Sequence, residues 1–71
     1  MRAEAITIQL ENGPRSLAAG SSLADLLVEL EHEEKAVSTA VNGQFVPRSQ
    51  RSATVLQNGD MVLVFQAIVG G

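Results

Sequence analysis

Three Asn-Gly dipeptides, at Asn12-Gly13, Asn42-Gly43 and Asn58-Gly59, cut this chain into short segments. The pair tolerates the positive backbone angles of a tight hairpin turn, so each marks a place where a strand reverses or ends. Ahead of the first, "AITIQL" alternates Ile6, Ile8 and Leu10 with Thr7 and Gln9, the period-two pattern of a strand with one face buried. A return strand is predicted through "RSL" to about Ala18, with Gly20 breaking it. "AVSTAVNGQFV" reads as strand, turn and short strand, which Pro47 must end or push to a sheet edge. "RSQRSATVLQNGD" reads as irregular up to the third turn, and "MVLVFQ" is an uninterrupted apolar strand.

Only one segment has helical spacing. Leu23, Leu26, Leu27 and Leu30 fall at i, i+3, i+4 and i+7, and Ser22 with Asp25 is a near match to a capping box, with Asp in place of the longer Glu. The spacing predicts an amphipathic helix of about three turns, closed by the solvated run "EHEEK", whose glutamates oppose the macrodipole and fray the end. The resulting order is β-β-α-β-β-β, a mixed sheet with one helix. Because one helix covers one sheet face, the other face should be polar, yet the last strand does not alternate. Met61, Leu63 and Phe65 point one way and Val62 and Val64 the other. Either this strand is central and shielded by loops, or it presents an apolar docking patch.

At 71 residues the chain is one domain that buries only roughly 60% of its unfolded surface, which leaves little room for a catalytic cleft. With no cysteine, disulfides, zinc thiolates and thiol catalysis are excluded. A composition 45% hydrophobic and 18% charged, without any apolar stretch of membrane-spanning length, predicts a soluble domain with no membrane partner. "MRAEAITIQL" lacks the apolar core of a secretory signal, so the expected location is cytoplasmic. A net charge of -3, five Lys+Arg and no Trp or Tyr leave nucleic acid without a basic or stacking platform. His32, the only histidine, sits in a charge run and reads as a solvated surface residue. Glu29, Glu31, Glu33 and Glu34 read as a solubilising face, no glycine-rich phosphate loop is present, and no metal site is expected.

The reactive group that a side-chain census omits is the α-carboxylate of Gly71, at the end of "QAIVGG". Without Cβ atoms, Gly70 and Gly71 fit a narrow channel and leave the acyl carbon open to a nucleophile. From Gln66 to Gly71 an extended chain reaches up to roughly 20 Å, a swinging arm for another protein's active site.

"AVNGQFVPRSQ", "LQNGDMVLVFQAIVGG" and the helix "SLADLLVEL" together resemble the ThiS family of sulfur carriers in thiamine biosynthesis, over essentially the whole chain. The "VNxxxVPR" segment, followed by "GD", an apolar strand and "Q", is the more specific part. The related MoaD carriers of molybdopterin synthesis share the Gly-Gly end but generally lack "VPR".

The resemblance implies a ubiquitin-like β-grasp fold of class α+β, with four to five strands, one main helix on one face and a free Gly-Gly tail over 66–71. It implies that the Gly71 carboxylate is adenylated by an E1-like, ThiF-like adenylyltransferase. Sulfur from a cysteine desulfurase relay then makes a thiocarboxylate, which is delivered to a ThiG-like thiazole synthase. Gly70 would be the clearance residue. ATP and magnesium would belong to the activating enzyme, so this chain would bind no cofactor and be no enzyme itself. Val62, Val64, Phe65, Arg48, Ile68 and Val69 are the expected partner-docking residues. Two other readings are a MoaD-like small subunit of molybdopterin synthase, and a ubiquitin-like interaction domain or modifier that works through the face around Val62 and Val64.

Overall fold

The computed structural model describes residues 4–66. The elements run β1 (Ala5–Leu10), β2 (Gly13–Ala18), α1 (Leu23–Glu29), β3 (Val37–Val41), β4 (Gln44–Val46), a 3-10 helix (Arg48–Ala53) and β5 (Val62–Gln66). β1 and β2 form an antiparallel hairpin in which Ile6 faces Leu17 and Ile8 faces Arg15. β3 pairs antiparallel with both β4 and β5, giving the order β4-β3-β5. A parallel bridge between Gln9 and Met61 sets β5 beside β1, so the strands run β2-β1-β5-β3-β4. This is the mixed sheet that the sequence pattern predicts, in the β-grasp arrangement that the resemblance implies.

The predicted capping box forms at α1. The Ser22 hydroxyl accepts from the Asp25 N–H at 3.1 Å, and the Asp25 carboxylate accepts from the Ser22 N–H at 3.0 Å. Aspartate is therefore long enough to close the box. The Leu23 N–H donates to the Thr54 carbonyl at 2.8 Å, satisfying a further donor at the helix start. At its other end the helix is shorter than predicted, stopping at Glu29 with Leu30 as its cap. Glu31 takes φ 61, and the N–H groups of Glu31 and His32 donate back to the Val28 and Leu27 carbonyls. That is a Schellman closure with glutamate in the left-handed position where glycine is usual. "EHEEK" consequently lies beyond the helix, in the turn that leads to β3.

α1 covers one face of the sheet. Ile8, Leu17, Leu23, Leu26, Val46, Leu56 and Val62 form the buried cluster, with Ile6, Leu10, Leu30, Val41 and Val64 partly buried against it. Each fully buried aliphatic side chain contributes about 1.5–3 kcal/mol. The segment 48–56, predicted to be irregular, is more ordered than its sequence suggests. Pro47 caps the 3-10 helix with its extended backbone, and Leu56 is a core residue whose N–H donates to the Ser21 carbonyl.

Arg51 explains the order of that segment. Only 4% exposed, it donates from Nε to the Thr39 hydroxyl and from its terminal nitrogens to the Glu34 and Val37 carbonyls, at 3.2, 2.8 and 2.6 Å. Thr39 passes the link on to the Val46 carbonyl at 3.1 Å, so one buried chain of bonds ties the 3-10 helix to β3 and β4.

Two substitutions test these readings by urea denaturation. Arg51→Ala strands two carbonyls and a hydroxyl without their donor and is expected to cost about 2–4 kcal/mol. Glu31→Gly relieves the left-handed backbone and is expected to gain about 1 kcal/mol.

Candidate functional site

β5 is the strand from which a tail would emerge, and its position is set by the turn before it. The Thr7 N–H donates to the Asn58 side-chain oxygen at 2.8 Å, the Gly59 N–H to the Thr7 carbonyl at 2.7 Å, and the Gln9 N–H to the Asp60 carbonyl at 2.8 Å. On the other side the Asp60 carboxylate accepts from the Asn42 amide at 2.9 Å and from the Gln57 N–H at 2.8 Å. Asn42, with φ 53 in the β3–β4 turn, also exchanges bonds with Met61: its N–H donates to the Met61 carbonyl, and its side-chain oxygen accepts from the Met61 N–H. The Asn and Asp of the "VN" and "GD" motifs thus meet at the base of β5.

From that base the two faces of β5 separate. Val62 has 0% exposure and Val64 is partly buried against the core cluster, so this is the side that α1 covers. The sequence expectation that placed Val62 on a docking face is corrected here, since Val62 has no surface to offer a partner; Val64 keeps part of its surface on the same side. The open face carries Met61, Leu63 and Phe65. The register sets Leu63 against Ala40, and Ala40 against Phe45 on β4, a row across three strands; Phe65 lies opposite Ser38 in the next row. Phe45, Phe65 and Met61 are 65%, 49% and 48% exposed. These residues form an apolar patch on an otherwise unpartnered sheet face. Phe45 was missed from sequence, although a two-residue turn at Asn42-Gly43 pairs it with Ala40 by parity alone, while Met61 and Leu63 were read as one of the two sets on the strand but not named for docking.

Arg48 is exposed and lies elsewhere. It lines a cleft of about 290 Å³ on the helix side, with Leu27, Val28, His32, Glu34 and Arg51. The structure therefore divides the expected docking residues, with Phe65 on the open face, Arg48 beside the helix, and Val62 and Val64 inward. His32 is exposed, as expected of a charge-run residue, and borders a second cleft as well. Gln66, expected to open the tail, is the last residue of β5 and pairs with Val37. Ile68, Val69, Gly70 and Gly71 lie outside the described residues.

Residues 8–71 match the ThiS family. The sulfur carrier protein ThiS of Escherichia coli (strain K12) is 41% identical over 54 residues, which cover 76% of this chain and 82% of that protein. The crystal structure of thiamine biosynthesis protein ThiS from Geobacter metallireducens superposes with a TM-score of 0.80. The alignment covers 93% of this chain and 100% of that one at 23% identity, a likeness of fold.

The assignment of the two faces of β5 is checked by paired substitutions. Val62→Ala opens a cavity in the core and is expected to cost about 2–3 kcal/mol in urea denaturation. Phe65→Ala, on the open face, is expected to cost less than about 1 kcal/mol.

Proposed function

The chain belongs to the ThiS family, and from that premise we propose that it is a sulfur carrier whose Gly71 carboxylate is the site of loading in thiamine biosynthesis. A ThiF-like adenylyltransferase binds ATP and magnesium, and the carboxylate oxygen attacks the α-phosphorus, releasing pyrophosphate. A persulfide supplied by a cysteine desulfurase relay then displaces AMP from the acyl carbon, and a thiol cleaves the acyl disulfide so formed, leaving a thiocarboxylate and a new disulfide. The resulting thiocarboxylate passes its sulfur to a ThiG-like thiazole synthase. In this reading the chain is a co-substrate of enzymes, and Gly70 gives the acyl carbon clearance in the partner's channel.

The observation that carries this reading is the placement of β5. It is held at its base between β1 and β3, bears the open-face apolar patch on Leu63 and Phe65, and leads directly into the segment that ends in Gly70-Gly71. A carrier needs two things of its partner contact: a rigid surface that docks, and a reactive group at fixed reach from it. Burial of Met61, Leu63, Phe65 and Phe45 against the activating enzyme would supply the first, and the tail the second. The interaction-domain reading loses the broad Val62 and Val64 face on which it rested, because Val62 is fully buried and Val64 is partly so.

The experiment is incubation with the matching activating enzyme, MgATP and a sulfur source, followed by a thiol-alkylating reagent and fragment mass spectrometry. An ATP-dependent alkyl adduct on Gly71 is expected, and the absence of cysteine leaves no competing thiol in the chain. With an enzyme proven on another carrier, no adduct would move the function to the apolar face alone.

A further inference from the structure

β5 outruns the strand beside it. Gln9 bridges Met61, but β1 ends at Leu10 and its hairpin turns back at Gly13, while β5 continues to Gln66. Which backbone groups face the vacated side follows from the register. The Asn42 N–H donates to the Met61 carbonyl, so Met61 directs its polar groups to β3; Leu63 and Phe65, two and four residues on, do the same. The β3–β4 hairpin agrees. Val41 pairs with Gln44 across the two-residue turn, which turns Val41 and Thr39 toward β4 and leaves Ala40 and Ser38 for β5. Val62 and Val64 therefore direct their N–H and C=O groups toward β1, and past the Gln9 bridge no strand among the described residues meets the pair on Val64.

Beside that edge opens a cleft of about 280 Å³. Leu10 and Glu11 stand on its hairpin side, Val62 and Val64 on β5, and Leu30 and His32 at the helix end. An unpaired edge over an apolar cleft is a template for strand addition, in which main-chain bonds give affinity and a side-chain pocket gives selectivity.

We propose that this edge receives an extended segment of the activating enzyme, added as a strand beside Val64, with one apolar side chain seated on the partly buried Leu10, Leu30 and Val64. The inference rests on the carrier reading above and names the contact that aligns the tail. Three observations select the occupant. The unpaired main-chain groups of a strand are matched by an extended backbone rather than by a helix or a small molecule. The edge leads straight into residues 67–71, which at about 3.3–3.6 Å per residue span up to roughly 18 Å, so the enzyme that takes the terminal carboxylate is the protein whose surface lies beside the edge. Finally, Glu11 borders the cleft, and exposed Glu31 and Glu33 flank His32 in a chain of net charge -3. The segment therefore carries lysine or arginine beside its apolar anchor.

The test is total chemical synthesis of the full chain with N-methylvaline at Val64, which deletes one edge donor and keeps every side chain. Its melting midpoint should equal that of the unmodified chain, because the Val64 N–H serves no strand. Its KM in adenylation should rise roughly tenfold with kcat nearly unchanged, the loss of one intermolecular hydrogen bond made on docking. N-methylation at Phe65, whose N–H faces β3, should instead lower the melting midpoint. An unchanged KM for the Val64 chain overturns the proposal, as does a lowered melting midpoint, or an effect confined to the sulfur-accepting enzyme or to self-association. If the unmodified chain is not adenylated by a competent enzyme, the carrier reading itself fails, and this partner with it.

Discussion

The turn at Asn58-Gly59-Asp60 is where the two halves of the sheet become one. It bonds to Thr7 and Gln9 of β1 on one side and, through the Asp60 carboxylate, to Asn42 in the β3–β4 turn on the other. Each such bond contributes about 1 kcal/mol net, but their joint effect is positional. β5 must start between β1 and β3, in a register that turns Val62 inward. A shift of one residue would reverse every side chain on the strand and place Leu63 and Phe65 in the core.

Given that register, the apolar patch follows from where the helix packs. α1 and the 54–56 segment cover one face of the sheet, and among the described residues no second α-helix covers the other. The open face holds Phe45, Met61, Leu63 and Phe65, a surface that a solitary domain gains nothing by exposing. In the proposed function that cost is recovered on docking, and the strand that bears most of the patch also delivers the reactive terminus. Stiffness at the base of β5 then matters as much as reach at its end, because a fixed docking surface is useful only if the arm starts from a fixed place.

Arg51 keeps the opposite side of the molecule in order by different means. A guanidinium buried among neutral acceptors is a costly choice, and its return is geometric: one planar group spans Glu34, Val37 and Thr39, pinning the 3-10 helix against β3. Read in sequence, Arg51 is one arginine in a polar run, with no periodicity or turn signal to show that it is buried. Leu56 was hidden for a like reason, since the pair Val55-Leu56 in a polar run carries no period to say that Leu56 is buried and Val55 exposed. The helix end was misjudged because Leu30 fits the apolar stripe, while the left-handed backbone that stops the helix falls on a glutamate instead of the glycine that would have announced it.

Local chemistry alone determined the order of elements, the hairpin turn at Asn42-Gly43, the first hairpin to within one residue of its turn at Glu11-Asn12, the capping box at Ser22 and Asp25, and the two alternating sets of side chains on the last strand. Those features depend on residues a few positions apart, so the chain carries them wherever it goes. The tertiary structure decided which of the two sets on β5 is buried, that Phe45 joins Leu63 across β3, that Arg48 lies away from Phe65, and that Arg51 is a core residue. Each of these depends on contacts between segments far apart in the chain, and pattern within a segment cannot say which neighbour will cover it.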